Sequence, residues 1–256
     1  MIFYFSATGN NKYVATRIAE VTGDQLYAIP ECFNKGEFTF TLSENENFGL
    51  VIPTYFGGFP NIVIDFLNKI TIHWAKDNYI FFVGTYGAEA GNITQEAVKR
   101  LRYFYKTPDA LFTIKMVDNW LPYFDMTDTN YISKAESDAE YEIADVVNKI
   151  AKHEKVDNAG EGVQAFDQWL STNYYNNASK TKNFSVSDAC IGCELCERQC
   201  PMNAIKVENG KPVWIKPKCT LCLGCVHRCP KNAISYTKKT IGHGQYFNPN
   251  VKPDQY

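Results

Sequence analysis

Eight of the nine cysteines fall between Cys190 and Cys229, and their spacing is the strongest chemical signal in the chain. Shifting the sequence by 29 residues lays CIGCELCERQCPMNAI on CTLCLGCVHRCPKNAI, with four cysteines, the proline and Asn-Ala-Ile in register. One unit is therefore written twice. In each copy three cysteines recur at every third residue, and a fourth, followed by proline, comes four residues later. Thiolates are soft ligands suited to iron–sulfur clusters and zinc. Three at this spacing can wrap one cluster from a tight loop, while the fourth lies beyond that loop's reach. Zinc closes with four ligands and has no need of the overlapping third pair or of Cys-Pro. A disulfide framework belongs to short exported chains, and this one has 256 residues and opens on strand-like MIFYF.

A second stretch able to do chemistry is FSATGNN, Phe5 to Asn11, between the opening apolar run and the amphipathic KYVATRIAEV. The hydroxyls of Ser6 and Thr8 and the amides of Asn10 and Asn11 can hold a phosphate without a fixed positive charge. Consecutive backbone N–H groups around Ala7 and Gly9 at a helix N-terminus would help. The loop alone does not separate one phosphate from another.

The elements that must position these groups read as strand and helix in alternation. Strands are predicted over Met1–Phe5, Leu26–Ile29, Phe48–Thr54, Tyr79–Thr85 and Leu111–Val117. Helical spacing links Val14, Ile18 and Val21, then Ile62, Phe66 and Ile70, then Ile93, Ala97, Val98 and Leu101. A longer helix carries Ile132, Ala135, Ala139, Ile143, Val146, Val147 and Ile150. This alternation predicts an α/β fold: a doubly wound, five-stranded parallel sheet of flavodoxin-like order 2-1-3-4-5, covered on both faces. The crevice then opens where the first and third strands diverge, so SATGNN, PTYFGGFP and YGAEAGN converge there.

SATGNN resembles the phosphate loop of flavodoxins, a hydroxyl residue, any residue, then Thr-Gly-Asn and usually Thr. Asn11 stands at that last position, and one hydroxyl is lost. The resemblance implies FMN, with Thr54, Tyr55, Phe56 and Gly57 in the second loop and Thr85, Tyr86, Gly87, Gly91 and Asn92 in the third holding the flavin ring. Tyr55 and Tyr86 are the expected ring contacts, against the plainer alternative of loop aromatics packed on the protein. The segment from Asp188 to Tyr236 resembles bacterial two-cluster ferredoxins, small α+β domains in which the fourth cysteine of each run serves the other cluster. That implies Cys190, Cys193, Cys196 and Cys229 for one [4Fe–4S] cluster and Cys219, Cys222, Cys225 and Cys200 for the other. Ile191, Leu195, Ile205, Leu221, Leu223, Val226 and Ile234 would wall them, and His227 is expected to face solvent.

The layout as a whole resembles the family of flavodoxin and ferredoxin fusion proteins. It divides into a flavin domain at 1–157, a connector at 158–187 with a short helix in VQAFDQWLSTNYYN, a cluster domain at 188–236 and a polar tail at 237–256, expected to be disordered, with Tyr246 and Phe247 as the alternative that pins it to a neighbouring surface. Cys32 reads as a packed, inert thiol. The formal net charge of −2 gives no basis for nucleic-acid binding, and no apolar run is long enough for membrane insertion. Residues 1–187 carry a formal −7 and residues 188–256 a formal +5, which favours docking of the two parts. Each oxidised cubane with its thiolates brings about −2, which cuts that attraction. The expected role is cytoplasmic electron transfer in anaerobic metabolism between FMN, two [4Fe–4S] clusters and a redox partner protein. The alternatives are an FMN-dependent reductase fed through the clusters and a flavin-free docking scaffold. No nucleophile, base and orienting acid can be assembled.

Overall fold

The computed structural model describes residues 1–158 and 162–252. Its opening strand β1 (Ile2–Tyr4) alternates with period two, so that Ile2 and Tyr4 enter one core and Phe3 and Phe5 the other. After α1 (Asn10–Thr22) come β2 (Leu26–Ala28), α2 (Ile29–Lys35), β3 (Thr39–Thr41) and β4 (Phe48–Pro53). Then follow α3 (Asn61–Leu67), β5 (Thr71–His73), β6 (Ile80–Tyr86), α4 (Ile93–Leu101), β7 (Ala110–Lys115) and α5 (Thr129–Ala151). The main sheet has the order β2-β1-β4-β6-β7, all parallel, which is the predicted 2-1-3-4-5. β3 and β5, absent from the sequence reading, pair in parallel as a separate two-stranded sheet.

Each face of the main sheet is covered by the helices whose apolar stripes match it. Ile29 and Cys32 of α2, Ile62 and Phe66 of α3, and Ile93, Ala97 and Leu101 of α4 pack against Phe3, Phe5, Leu50 and Phe82. Val14 and Ile18 of α1, with Ile143 and Ile150 of α5, close on Ile2, Val51, Phe81 and Val83. Each buried Phe or Ile contributes about 1.5–3 kcal/mol relative to exposure. Val21 departs from its expected face. It is 59% exposed, in the last turn of α1 before the left-handed cap at Gly23 with φ +74°.

The second half begins with α6 (Ala165–Ala178), the helix expected in the connector; residues 159–161 of that connector lie outside the described residues. β8 (Phe184–Val186) follows, then α7 (Leu195–Arg198), β9 (Ile205–Glu208), β10 (Lys211–Trp214), α8 (Gly224–His227) and β11 (Ile234–Tyr236). β9 and β10 form one antiparallel hairpin, and β8 pairs antiparallel with β11. The cysteine-rich unit therefore starts at Phe184, four residues before the predicted boundary. The polar stretch read as linker supplies a strand whose partner lies fifty residues away.

The tail also differs from expectation, although residues 253–256 lie outside the described residues. Tyr246 and Asn248 are buried, and the segment crosses from the cysteine-rich unit onto the first helix of the α/β domain. Polarity read as disorder is here spent on hydrogen bonds to other elements. Among the described residues no helix is long and apolar enough to cross a membrane.

Candidate functional site

The carboxyl ends of β1, β4 and β6 open on the same edge of the sheet, and the three predicted loops meet there around a cavity of about 520 Å³. That volume is in the range of small-molecule and cofactor sites. In the first loop, Ser6 Oγ accepts the Gly9 N–H at 3.1 Å, and Gly9 adopts φ +104° so that the chain turns into α1. Ser6, Ala7 and Thr8 line the cavity, as do Asn10 and Asn11. The two asparagine amide oxygens are already engaged. Asn11 Oδ1 accepts from Thr85 Oγ1 at 3.0 Å, and Asn10 Oδ1 accepts from Tyr246 Oη at 2.8 Å and Asn248 Nδ2 at 3.1 Å. Both side chains therefore brace the loop, a role the sequence reading did not assign to them.

The second loop is a tight turn in which Tyr55 and Gly58 exchange backbone hydrogen bonds of 2.9 and 3.1 Å, with Phe56 at φ +53° and Gly57 at φ +78°. Left-handed backbone at an aromatic residue is strained, and here it stands at the cavity wall. Tyr55 packs edge-on to Phe5 and Tyr175, and Phe56 stacks on Tyr175 with ring centroids 5.4 Å apart. Burial raises the Tyr55 phenol well above its ordinary value, so it stays neutral. The third loop locks onto the second: Asn92 N–H donates to the Gly57 carbonyl at 2.8 Å, and a Cβ on Gly91 would lie 2.3 Å from Gly57 Cα. Thr85, Tyr86, Gly87 and Gly91 line the cavity; Asn92 stands behind it, accepting the Val163 N–H at 2.6 Å.

Three further segments complete the walls. The loop after β7 brings Asp118, Asn119, Trp120, Tyr123 and Phe124. Its position after a parallel strand was the available signal, since the same rule that gathered the first three loops applies to it. Asp118 accepts the N–H groups of Ala88 and Trp120 at 2.9 and 3.0 Å, and burial nonetheless pushes its carboxyl above the ordinary value. From α6 come Asp167, Gln168 and Ser171, and from the cluster unit Leu221, Cys222 and Leu223. No local pattern marks these as cavity residues, because they come from another unit of the chain.

The cavity suits a flavin nucleotide. It has hydroxyls and a helix N-terminus at one end and aromatic walls at the other. Two lining residues, Thr54 and Gln168, hold buried oxygens, Oγ1 and Oε1, with no hydrogen-bond partner among the described residues. Buried polar atoms of this kind are ready acceptors or donors for a polar ring edge.

The eight clustered cysteines gather in two groups that exchange their fourth members. Cys190, Cys193, Cys196 and Cys229 line one small cavity, and Cys200, Cys219, Cys222 and Cys225 line another. Left-handed backbone at Gly192, Glu194, Leu221 and Leu223 coils each loop around its cavity. Backbone N–H groups of Ala204, Leu221 and Ala233 point at the sulfurs of Cys200, Cys219 and Cys229 at 3.2–3.3 Å. Donors to sulfur at this spacing are what a thiolate-held cluster requires. Among the described residues no group of three His, Cys, Asp or Glu converges as a single metal ion would need. Ile205, Leu221, Leu223, Val226 and Ile234 are buried around the cavities, whereas Ile191 is 61% exposed on the outer rim, where Cys193 is exposed too.

His227 does not face solvent. Its ring is buried, and the pKa is pushed down to about 4 by that burial. Nδ1 accepts the Tyr246 N–H at 3.1 Å, so the remaining proton sits on Nε2 and is donated to the Asn119 carbonyl at 3.0 Å. The two units also meet through Arg228, which donates to the Ala7 carbonyl, and through Tyr175, whose hydroxyl accepts the Asn61 N–H at 3.2 Å and donates to the Thr220 carbonyl at 2.9 Å. Among the described residues these contacts are hydrogen bonds to neutral groups.

Comparison with known proteins agrees with both halves of this description. A flavodoxin-domain family model matches residues 1–142, and a 4Fe-4S dicluster domain model matches residues 189–234. No curated protein matches the chain. Among solved structures, the rubredoxin oxygen:oxidoreductase of the anaerobe Desulfovibrio gigas aligns at 18% identity over 59% of this chain and 36% of that one, with a TM-score of 0.36. The metal-soaked flavodiiron core Flv1 of Synechocystis aligns at 19% identity over 58% and 36%, with a TM-score of 0.32. The chain thus spans about a third of the length of each of these two. With a flavodoxin model covering more than half of its residues and a dicluster domain fused behind, this chain belongs to the flavodoxin family as a flavodoxin/ferredoxin fusion.

Proposed function

We propose that the 520 Å³ cavity holds FMN, that the two cysteine cavities hold one [4Fe–4S] cluster each, and that electrons pass between them within one chain. The observation that carries this reading is that Cys222 lines both the flavin cavity and that of its own cysteine group. When bound, FMN supplies steps of one or two electrons and each cluster steps of one, so the pair can split or combine reducing equivalents. The chain's own residues set the order. Leu221, Cys222 and Leu223 bring the Cys200/219/222/225 group against the flavin cavity, while the Cys190/193/196/229 group lies beyond it with Cys193 exposed. That outer group is where a redox partner protein would exchange electrons. Thiolates in this number suit a reducing cytoplasm.

Ser6, Thr8 and the N-terminal amides of α1 would take the phosphate, and Phe56, Trp120 and Tyr86 would exclude water from the ring. The test is anaerobic reconstitution followed by iron, sulfide and flavin counts. About eight iron and about one FMN per chain are expected. Cys222→Ala is expected to remove about half of the iron and to slow flavin-to-iron transfer at least about tenfold, with FMN still bound. Zinc in place of iron, or transfer undiminished in Cys222→Ala, would overturn the reading.

A further inference from the structure

His227 lies on α8 between Cys225 and Cys229, which belong to different cysteine groups, and two chains of hydrogen bonds lead from its ring to the phosphate loop. Through Nε2 it holds the Asn119 carbonyl at 3.0 Å, and the Asn119 side-chain amide donates to Thr8 Oγ1 at 2.7 Å. Through Nδ1 it holds the Tyr246 N–H at 3.1 Å, and the Tyr246 hydroxyl donates to Asn10 Oδ1 at 2.8 Å. Two residues further on, Asn248 closes the second chain, with its N–H on the Thr8 carbonyl at 2.8 Å and its amide on Asn10 Oδ1 at 3.1 Å. Gln245 fixes the start of this strap, donating to the carbonyls of Val226 and Cys229 at 2.7 and 2.8 Å.

These bonds are largely buried and join four separate segments. His227, Thr8, Asn10 and Asn248 are each at most 6% exposed. A buried donor or acceptor that loses its partner is costly, so the two chains resist independent movement of their ends. One end is fixed by whatever orders Cys225 and Cys229, and the other is the loop that shapes the phosphate site.

We propose that His227 is a positioning residue through which the cluster-bearing segment sets the shape of the flavin phosphate loop, so that cluster assembly and FMN binding favour each other. The inference rests on the reading that FMN occupies the cavity. Coupling of this kind is reciprocal: a cluster-loaded chain binds FMN more tightly, and FMN in turn retains the clusters.

The neutral ring with one donor and one acceptor makes the two arms separable. His227→Gln can put an amide N–H at the place of Nε2 and keep the Asn119 arm, His227→Asn can put a carbonyl at the place of Nδ1 and keep the Tyr246 arm, and His227→Leu keeps neither. FMN affinity is read from quenching of flavin fluorescence on the full-length chain, with and without reconstituted clusters, alongside iron counts. The wild-type chain is expected to bind FMN about tenfold more tightly with clusters than without, within the usual range of coupling. In His227→Leu that advantage should fall below about threefold at unchanged iron content, with the Gln and Asn variants between the two. A loss caused only by disorder of the cluster-free chain would persist in the variant and so overturn the inference. If His227→Leu fails to hold iron, Tyr246→Phe combined with Asn248→Ala, which leaves α8 intact, should shrink the advantage in the same way. An advantage undiminished in both, or absent from the wild-type chain, overturns the inference alone. A wild-type chain that binds no FMN in either state overturns the flavin reading.

Discussion

Replacing Gly91 with alanine separates two costs that the structure assigns to different glycines. Gly91 has φ +61°, and an added Cβ would lie 2.3 Å from Gly57 Cα and 2.8 Å from the Gly57 carbonyl oxygen. Both contacts are backbone, so neither loop can yield without moving the cavity wall. Gly23 has a similar φ of +74° with nothing within 4 Å of an added Cβ. Gly23→Ala should therefore cost only the left-handed penalty, about 1–2 kcal/mol. Gly91→Ala adds overpacking, about 1–3 kcal/mol more, for a total of about 2–5 kcal/mol. Against a domain stability of about 5–15 kcal/mol, the difference between the two is measurable as a shift in denaturant midpoint. Because the Gly57–Gly91 contact and the Asn92-to-Gly57 hydrogen bond hold the second and third loops together, Gly91→Ala should also weaken FMN at least about tenfold, whereas Gly23→Ala should leave it unchanged. If Gly91→Ala costs no more than Gly23→Ala in denaturant titration, the interlocked-loop argument is refuted.

Two further expectations concern titration. Asp118 holds its proton more tightly folded than unfolded because burial raises its carboxyl above the ordinary 3.8. Its contribution to stability is therefore full below that value and declines as pH rises through the raised one. The stability of Asp118→Asn relative to wild type should climb over the same acidic window; a flat difference would show that burial is not felt there. Cys32, 2% exposed, has its thiol pushed up to about 11 by burial and then by Glu37 and Glu31. It should stay unalkylated by iodoacetamide at mildly alkaline pH until the chain is unfolded, as read by peptide mass, and labelling at the rate of a free thiol would contradict its packing.

The sheet order was legible because β1, β4 and β6 carry apolar runs, with helical stripes between them. β3 and β5 were not, since three residues such as Thr-Phe-Thr offer no period to detect. At the site, SATGNN and the two glycine-rich loops could be found by composition and by their place after strands. What the sequence could not disclose was the work of long-range partners. His227 looks like a surface residue until the segment around Tyr246 folds over it, and Asn10 looks like a ligand until that same segment takes its oxygen. Cys222 belongs to one motif by sequence, yet in space it also lines the cavity of the first domain.

The exchange of Cys200 and Cys229 between the two cysteine groups has a consequence for how the domain can be assembled. A single sixteen-residue unit on its own would offer three thiols to a cluster and wait for a fourth from another molecule, at a rate set by how often two chains meet. Written twice in one chain, 29 residues apart, each unit has the other's thiol tethered beside it at an effective concentration of the order of millimolar. The duplication thus turns a bimolecular event into a local one. It also means that the group begun first, with Cys190, is the last to be complete, since Cys229 leaves the ribosome after Cys225.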